Sequence, residues 1–168
     1  MTIDETYKNI CILTHNDLLT YASIFATWFS GKVFVLINPI NPLFRNTQIL
    51  DQISASIVLS SSEKKYFSEV NEICTQNLPA VDFRLQAPDL TNQSLAYILF
   101  SSGSTGIPKG VPISWGNVNS FIDSFFSIGF DINENDRFLQ LFDFSFDVSV
   151  ASYIVPLYMG ACTYTVHN

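Results

Sequence analysis

Short apolar runs alternate with amphipathic stretches along most of this 168-residue chain, and this alternation constrains its fold more than any other feature. The apolar runs are continuous, which is typical of strands whose two faces are both buried in a parallel sheet. The amphipathic stretches are typical of helices that cover such a sheet, because each has one apolar face. The sequence therefore predicts an α/β layered domain, in which a mostly parallel sheet is flanked by helices joined through right-handed crossovers.

The predicted elements follow one another in strand–helix–strand order. Strands are predicted at 9–13, 33–37, 56–59, 95–100, 138–142 and 162–166, and helices near 17–29, 44–53, 63–75, 114–126 and 147–158. Asn16 or Asp17 is expected to cap the first helix, and Gly31 is expected to end it. The third helix is charged, and Lys65 and Glu69 are spaced to form an i,i+4 pair on it.

The composition limits both the core and the partners of this protein. Hydrophobic residues make up 48% of the chain, charged residues make up 14%, and the formal net charge at pH 7 is −7. Such a chain can bury a large core, and 168 residues form one domain or a part of one. The net negative charge argues against binding to nucleic acid or to an anionic membrane surface, because both partners require a basic patch on the protein.

The cysteines and histidines indicate neither a disulfide framework nor a metal site. Cys11, Cys74 and Cys162 are widely spaced beside apolar residues, so we expect reduced cysteines in the core of a cytoplasmic protein. His15 and His167 have no cysteine or carboxylate partner at ligand spacing, so no metal site is predicted. The sequence predicts no secretory signal and no membrane span.

Two further patterns receive structural interpretations. Residues 131–136 begin like an EF-hand calcium loop but lack its sixth-position glycine, so we expect an acidic surface turn there. Phe121, Phe125, Phe126 and Phe130 recur at helical spacing, which predicts core packing rather than a cofactor site.

The segment from Tyr97 to Val111 joins an apolar strand to a loop rich in glycine and hydroxyl groups. Glycines allow backbone N–H groups to approach closely, Ser and Thr donate further hydrogen bonds, and a lysine adds positive charge, so the loop can surround a phosphate chain. It fails the Walker pattern, because Pro108 and Gly110 stand where a glycine and a hydroxyl are required, and it also fails the dinucleotide fingerprint. A flexible Ser/Gly linker is the alternative, but the apolar strand and the Pro-Lys-Gly exit favour phosphate binding.

This loop and its surroundings resemble the adenylate-forming superfamily, which includes acyl-CoA synthetases, luciferases and the adenylation domains of peptide synthetases. Residues 101–111 are similar to the signature of that superfamily, with Ser101 in place of its first threonine. Residues 29–39 resemble its upstream helix–glycine–strand–proline segment. Residues 139–150 resemble the Phe-Asp-x-Ser-Val motif of the branch that activates amino acids, and within that branch the chain looks most similar to D-alanine–carrier protein ligases.

The resemblance implies that residues 1–168 are a fragment of the large N-terminal subdomain of an adenylate-forming enzyme, without its C-terminal subdomain. The implied reaction joins the carboxylate of an amino acid to ATP, releases pyrophosphate, and passes the aminoacyl group to the thiol of a phosphopantetheinyl carrier protein. ATP and Mg²⁺ are the implied cofactors. No segment of the chain matches the adenine pocket or the catalytic lysine of the family, so no catalytic set is complete and the chain alone is expected to be inactive.

The resemblance also implies roles for individual residues. The residues that would cradle the β- and γ-phosphates of ATP are Ser101, Ser102, Gly103, Ser104, Thr105 and Gly106. Lys109 would neutralise the departing pyrophosphate or, equally, anchor the exit of the loop. Asp147 would bind the α-ammonium group of the substrate, because a cation in an apolar pocket needs a countercharge, and it could also cap a helix. Val148 and Ala151 would line the side-chain pocket, and Asp143 is expected to be a surface or turn carboxylate.

Two other functions remain open at this point. One is a truncated protein that binds nucleotide or a partner without turnover. The other is a fragment of an acyl-CoA synthetase, against which Asp147 argues, as does Trp115 at a position where many family members carry histidine. A fragment of a larger domain is also expected to expose apolar surface and an unpaired strand edge, and so to form a homo-oligomer.

Overall fold

The computed structural model describes residues 9–82, 86–102 and 106–166. Its strands are β1 (Asn9–Leu13), β2 (Val33–Ile37), β3 (Ile57–Ser60), β4 (Asn71–Cys74), β5 (Leu95–Ser102), β6 (Pro108–Ser114), β7 (Arg137–Gln140) and β8 (Cys162–Thr165). Its helices are α1 (Leu18–Phe29), α2 (Leu43–Gln52), α3 (Trp115–Ser127) and α4 (Asp147–Tyr158), with a short 3-10 helix at Thr75–Asn77. The predicted α/β class is confirmed.

The larger sheet has six strands in the order β4-β3-β1-β2-β5-β6. All neighbouring strands pair in parallel except β5 and β6, which form an antiparallel pair. Because β1, β2, β3 and β5 run in the same direction, their carboxyl ends meet at one edge of the sheet, where loops commonly form binding sites. The smaller sheet pairs β7 with β8 in parallel, and α4 connects the two strands.

Both faces of the larger sheet are buried, which explains why its strands are continuously apolar. On one face, alternate residues such as Ile12 and Leu36 pack against α1, α3 and α4. On the other face, residues such as Leu13 and Val35 pack against Ile49 and its neighbours in α2. This layered packing confirms the prediction of a mostly parallel sheet covered on both sides.

The ends of two helices follow from local sequence. The Asp17 carboxylate accepts a hydrogen bond of 2.8 Å from the Thr20 backbone N–H and so caps α1. Gly31, just after α1, has a φ of +67°, a conformation that a residue with a Cβ adopts only with strain. Ser114 and Asn117 form a capping box at the start of α3, in which each side chain accepts from the other residue's backbone N–H.

The predicted helix at 63–75 is wrong. Residues 61–70 form an irregular loop, and the chain then enters β4, which pairs in parallel with β3. The Glu72 carboxylate accepts hydrogen bonds from the backbone N–H groups of Tyr66 and Phe67, at 2.9 and 3.1 Å, and this closes the loop. Phe67 is buried in the core, so tertiary packing outweighs the weak helix preference of the segment.

The strand assignments need two smaller corrections. The strand predicted at 138–142 is shifted, because β7 spans Arg137–Gln140. The sequence analysis assigns no strand to the segment after the glycine-rich loop, but this segment forms β6, the antiparallel partner of β5. The segment at 131–136 is a surface turn, as expected, in which the Asn133 N–H donates to the Asp136 carboxylate at 2.8 Å.

The cysteine and phenylalanine predictions are only partly confirmed. Cys11 is buried, and burial raises the pKa of its thiol, but Cys74 is half-buried and Cys162 is exposed. Phe121 and Phe130 are 43% and 52% exposed, so the prediction that they lie in the core is wrong. Phe125 and Phe126 are half-buried.

Within the described ranges, no helix has the length and apolar character needed to cross a membrane.

Candidate functional site

Two cavities lie side by side between β5, β6 and the start of α4. The first has the larger share of polar lining residues, so we name them the polar cavity, of about 430 Å³, and the apolar cavity, of about 440 Å³. The polar cavity is lined by Leu36, Ile37, Asn41, Arg45, Ile49, Tyr97, Leu99, Phe100, Ser101, Ser102, Val111, Ile113, Asp143, Ser145, Phe146 and Asp147. The apolar cavity is lined by Tyr97, Ile113, Asn117, Val118, Phe121, Asp147, Val148, Val150, Ala151 and Ile154.

The polar cavity contains the first residues of the predicted phosphate loop. Ser101 and Ser102 are exposed at the end of β5 and line this cavity. Gly106 has a φ of +79°, so the end of the loop adopts a backbone conformation that favours glycine. Gly103, Ser104 and Thr105 lie outside the described residues.

Lys109 lies on β6, paired with Ser101, whose hydroxyl donates to the Lys109 carbonyl oxygen at 3.5 Å. It is not among the residues that line the polar cavity; Arg45, at the start of α2, lines it instead. Arg45 is half-buried, and within the described ranges no residue forms a hydrogen bond or an ion pair with its guanidinium. The cation available to an anion in this cavity is therefore one that the sequence reasoning missed. The sequence does contain an indication of this role. A cation in the first turn of a helix is unfavourable next to the positive end of the helix dipole, so Arg45 is not explained by helix stability.

Asp147 is the first residue of α4 and lines both cavities. The N-cap of this helix is Phe146, which makes no side-chain capping bond, so the alternative that Asp147 is the cap is wrong. The Asp147 carboxylate accepts one hydrogen bond of 2.8 Å, from the Val148 N–H, and the residue is exposed. No other residue that the structure describes donates a hydrogen bond to this carboxylate, so among these residues its remaining lone pairs are available to a cationic ligand.

Tyr97, Ile113 and Asp147 form a wall that the two cavities share. Tyr97 is 8% exposed, and its ring stacks on Phe34 with a centroid distance of 5.3 Å and an interplanar angle of 8°. Burial, and then the negative charge of Asp147, raise the pKa of Tyr97 to about 12. The phenol therefore remains protonated at neutral pH and lies close enough to Asp147 to sense its charge.

The other two predicted substrate-binding residues, Val148 and Ala151, both line the apolar cavity. They lie on α4 three residues apart, so they share one face of the helix. The structure thus brings Asp147, Val148 and Ala151 together around a single cavity.

Asp143 connects two loops at the edge of the larger sheet. Its carboxylate accepts hydrogen bonds from the Ser145 N–H and hydroxyl, at 2.8 and 2.7 Å, which form the turn before α4. It also accepts a hydrogen bond from the Asn38 amide in the loop after β2. The expected turn is confirmed, but the side chain is half-buried and lines the polar cavity, so it is not a surface carboxylate.

Neither cavity has the donor set of a metal centre in the part of the chain that the structure describes. No group of three or more His, Cys, Asp or Glu side chains is positioned there to hold a metal ion.

Comparison with known proteins gives consistent matches. The profile of the family described as "AMP-binding enzyme" matches residues 5–168. Nonribosomal peptide synthetase sidE of Aspergillus fumigatus is 31% identical over 89% of this chain. Malformin synthetase mlfA of Aspergillus sclerotiicarbonarius is 32% identical over 96% of this chain. The chain spans only 7% and 3% of the lengths of these two curated relatives.

A solved structure gives a similar match in three dimensions. The N-terminal subdomain of NpsA from Klebsiella oxytoca, in complex with 3-hydroxyanthranilyl-AMSN, is 25% identical, with a TM-score of 0.74. The match covers 94% of this chain and 40% of that chain.

Proposed function

The chain belongs to the AMP-binding enzyme family, and we propose on this basis that it is part of an ATP-dependent ligase that activates an amino acid as its adenylate. The observation that carries this proposal is the position of Asp147 in the wall between the polar and the apolar cavity. An aminoacyl-adenylate has matching parts: an anionic phosphate, a cationic ammonium group and a side chain.

In the proposed first step, a carboxylate oxygen of the amino acid attacks the α-phosphorus of ATP. A bond forms between that oxygen and the α-phosphorus, the bond to the bridging β-oxygen breaks, and pyrophosphate leaves. Such a step depends on alignment of the reactants and on neutralisation of the developing charge. Mg²⁺, when bound to the phosphates, would supply further charge neutralisation.

The polar cavity supports binding of the phosphates. The Ser101 and Ser102 hydroxyls, together with residues 103–106, would donate hydrogen bonds to the β- and γ-phosphates. We add Arg45 to this set, because this residue lines the cavity and a guanidinium can form paired hydrogen bonds with phosphate oxygens. Lys109 keeps its two possible roles, as a charge on the departing pyrophosphate or as an anchor of the loop.

Asp147 supports an amino acid as the substrate rather than a simple carboxylic acid. An α-ammonium group entering a mainly apolar cavity loses its hydration, and a carboxylate beside it compensates for that loss. Val148 and Ala151 would contact the side chain of the substrate. The aminoacyl group would then pass to the phosphopantetheinyl thiol of a carrier protein.

Within this proposal, two kinds of ligase are candidates. The similarity of residues 145–160 to D-alanine–carrier protein ligases favours one of them. One of the two curated relatives is, by name, a nonribosomal peptide synthetase, and this favours the adenylation domain of a peptide synthetase.

The test is pyrophosphate exchange into ATP, measured with the polypeptide of the full reading frame and a panel of amino acids, D-alanine, fatty acids and aryl acids. We expect exchange with an amino acid, and none with the 168 residues alone, which match only 40% of a solved N-terminal subdomain. Exchange driven only by fatty or aryl acids would instead support an acyl-CoA synthetase. ATP binding without any exchange would support a protein that binds nucleotide and does not turn it over.

A further inference from the structure

The apolar cavity is built mostly from hydrocarbon side chains. Ile113 comes from β6, Phe121 and Val118 come from α3, and Val148, Ala151 and Ile154 come from α4. The polar residues in this lining are Tyr97, Asn117 and Asp147. A ligand that matches the lining has one cationic group near Asp147 and is otherwise apolar.

Two of these apolar side chains are partly exposed. Phe121 is 43% exposed on α3, and Val148 is 42% exposed on α4. Removing such surface from water is favourable in proportion to the apolar area that a ligand covers. A ligand long enough to reach from Val148 to Phe121 gains from both contacts, and a short ligand gains from at most one.

The size of the cavity points in the same direction. A methyl group is about the size of a water molecule, whose share of liquid volume is about 30 Å³. The cavity has a volume of about 440 Å³. An alanine side chain would therefore leave most of the cavity filled with water against apolar walls, whereas a branched aliphatic or aromatic side chain would displace that water.

Resting on the proposed function, we infer that the activated amino acid has a large apolar side chain, branched aliphatic or aromatic, and is not alanine. Phe121 and Ala151 set the size that is accepted, from α3 and α4 respectively. Phe121 thus has a role in specificity that its helical spacing did not indicate.

The test is direct binding of sulfamoyladenosine conjugates, which are stable mimics of aminoacyl-adenylates. The phenylalanyl, leucyl, alanyl and glutamyl conjugates are titrated by calorimetry into the polypeptide of the full reading frame, with unconjugated sulfamoyladenosine as the reference. We expect the phenylalanyl or the leucyl conjugate to bind at least tenfold more tightly than the alanyl one, because each added hydrocarbon group in an apolar pocket contributes to discrimination.

Two pairs of variants assign the effect to the cavity. Ala151→Trp should weaken the phenylalanyl conjugate at least tenfold and leave the alanyl conjugate within threefold, whereas Ala22→Trp, on an exposed position of α1, should change neither. Phe121→Ala should weaken the phenylalanyl conjugate severalfold. The matched control is Phe130→Ala, since Phe130 is similarly exposed, also contacts Phe125 and lies outside the cavity.

The outcomes separate this inference from the function on which it rests. Tightest binding of the alanyl or glutamyl conjugate would overturn the inference and leave the proposed function intact. Equal weakening of all conjugates by Ala151→Trp would also overturn it. If no conjugate bound more tightly than unconjugated sulfamoyladenosine, the proposed function would fail together with the inference.

Discussion

The polar and apolar cavities are nearly equal in volume, at about 430 and 440 Å³, but they are built in different ways. The polar cavity is lined by residues of β2, β5, β6 and α2 and by the turn that leads into α4. The apolar cavity lies between the sides of α3 and α4. Both cavities form only where distant parts of the chain pack together, but the polar cavity also contains Ser101 and Ser102 of the predicted phosphate loop, whereas the apolar cavity contains none of the residues of that loop.

The largest effect should come from the shared wall. We expect Asp147→Ala to raise the KM for the amino acid at least tenfold and to change the KM for ATP far less, because a desolvated ammonium group would lose its countercharge. Asp147→Asn keeps the shape of the side chain and should have a similar effect. The measurement is pyrophosphate exchange with the polypeptide of the full reading frame. Equal effects on both KM values would indicate a general loss of folding and would remove the distinction between the cavities.

A smaller effect, on the other substrate, should come from the polar cavity. Arg45→Gln should raise the KM for ATP about tenfold, because charged hydrogen bonds to phosphate are lost, and should leave the KM for the amino acid within about twofold. Lys109→Gln removes a cation that lies nearby but does not line the cavity, so its effect on ATP should be smaller. If Lys109→Gln had the larger effect, the assignment of Arg45 would be wrong.

The smallest effect concerns stability at high pH. The pKa of Tyr97 is raised from 10.0 to about 12, by burial first and by Asp147 second. The unfolded chain therefore releases this proton at a lower pH than the folded chain, and the contribution of Tyr97 to the free energy of unfolding, fully present below pH 10, is lost between about pH 10 and 12.

Urea unfolding between pH 9 and 11 tests this expectation. The decline in the free energy of unfolding should be shallower in Tyr97→Phe than in the unchanged protein, and Tyr158→Phe, at a residue that is 64% exposed, should not alter it. A decline unchanged by Tyr97→Phe would show that this phenol does not titrate as a buried group. Buried Tyr153, whose pKa is also raised, contributes to the decline in both proteins.

The sequence predicted those parts of the fold that are determined locally. The cap at Asp17, the stop at Gly31 and the continuous apolar strands each follow from interactions within a few residues or from burial on both faces. The segment at 63–75 could not be predicted in the same way. Its structure depends on pairing with β3 and on the burial of Phe67, which are contacts with residues distant in the chain.

The residues of the candidate site also fall into these two groups, those indicated by local sequence and those that depend on distant contacts. The phosphate loop and Asp147 belong to recognisable motifs, so the sequence indicated them, although the ligands that they bind remain proposals. Arg45, Tyr97 and Phe121 belong to no such motif, and each enters the site only through the packing of one element on another. Helical spacing assigned Phe121 to the core, because spacing defines a face of the helix and not what that face contacts.

The central claim is that Asp147 binds the ammonium group of a substrate whose side chain occupies the apolar cavity. The most direct test compares phenylalanyl-sulfamoyladenosine with its 3-phenylpropanoyl counterpart, which lacks only the ammonium group, in binding to the unchanged protein and to Asp147→Asn. We predict a preference of at least tenfold for the phenylalanyl ligand in the unchanged protein and no preference in the variant. The same preference in both proteins would contradict the claim.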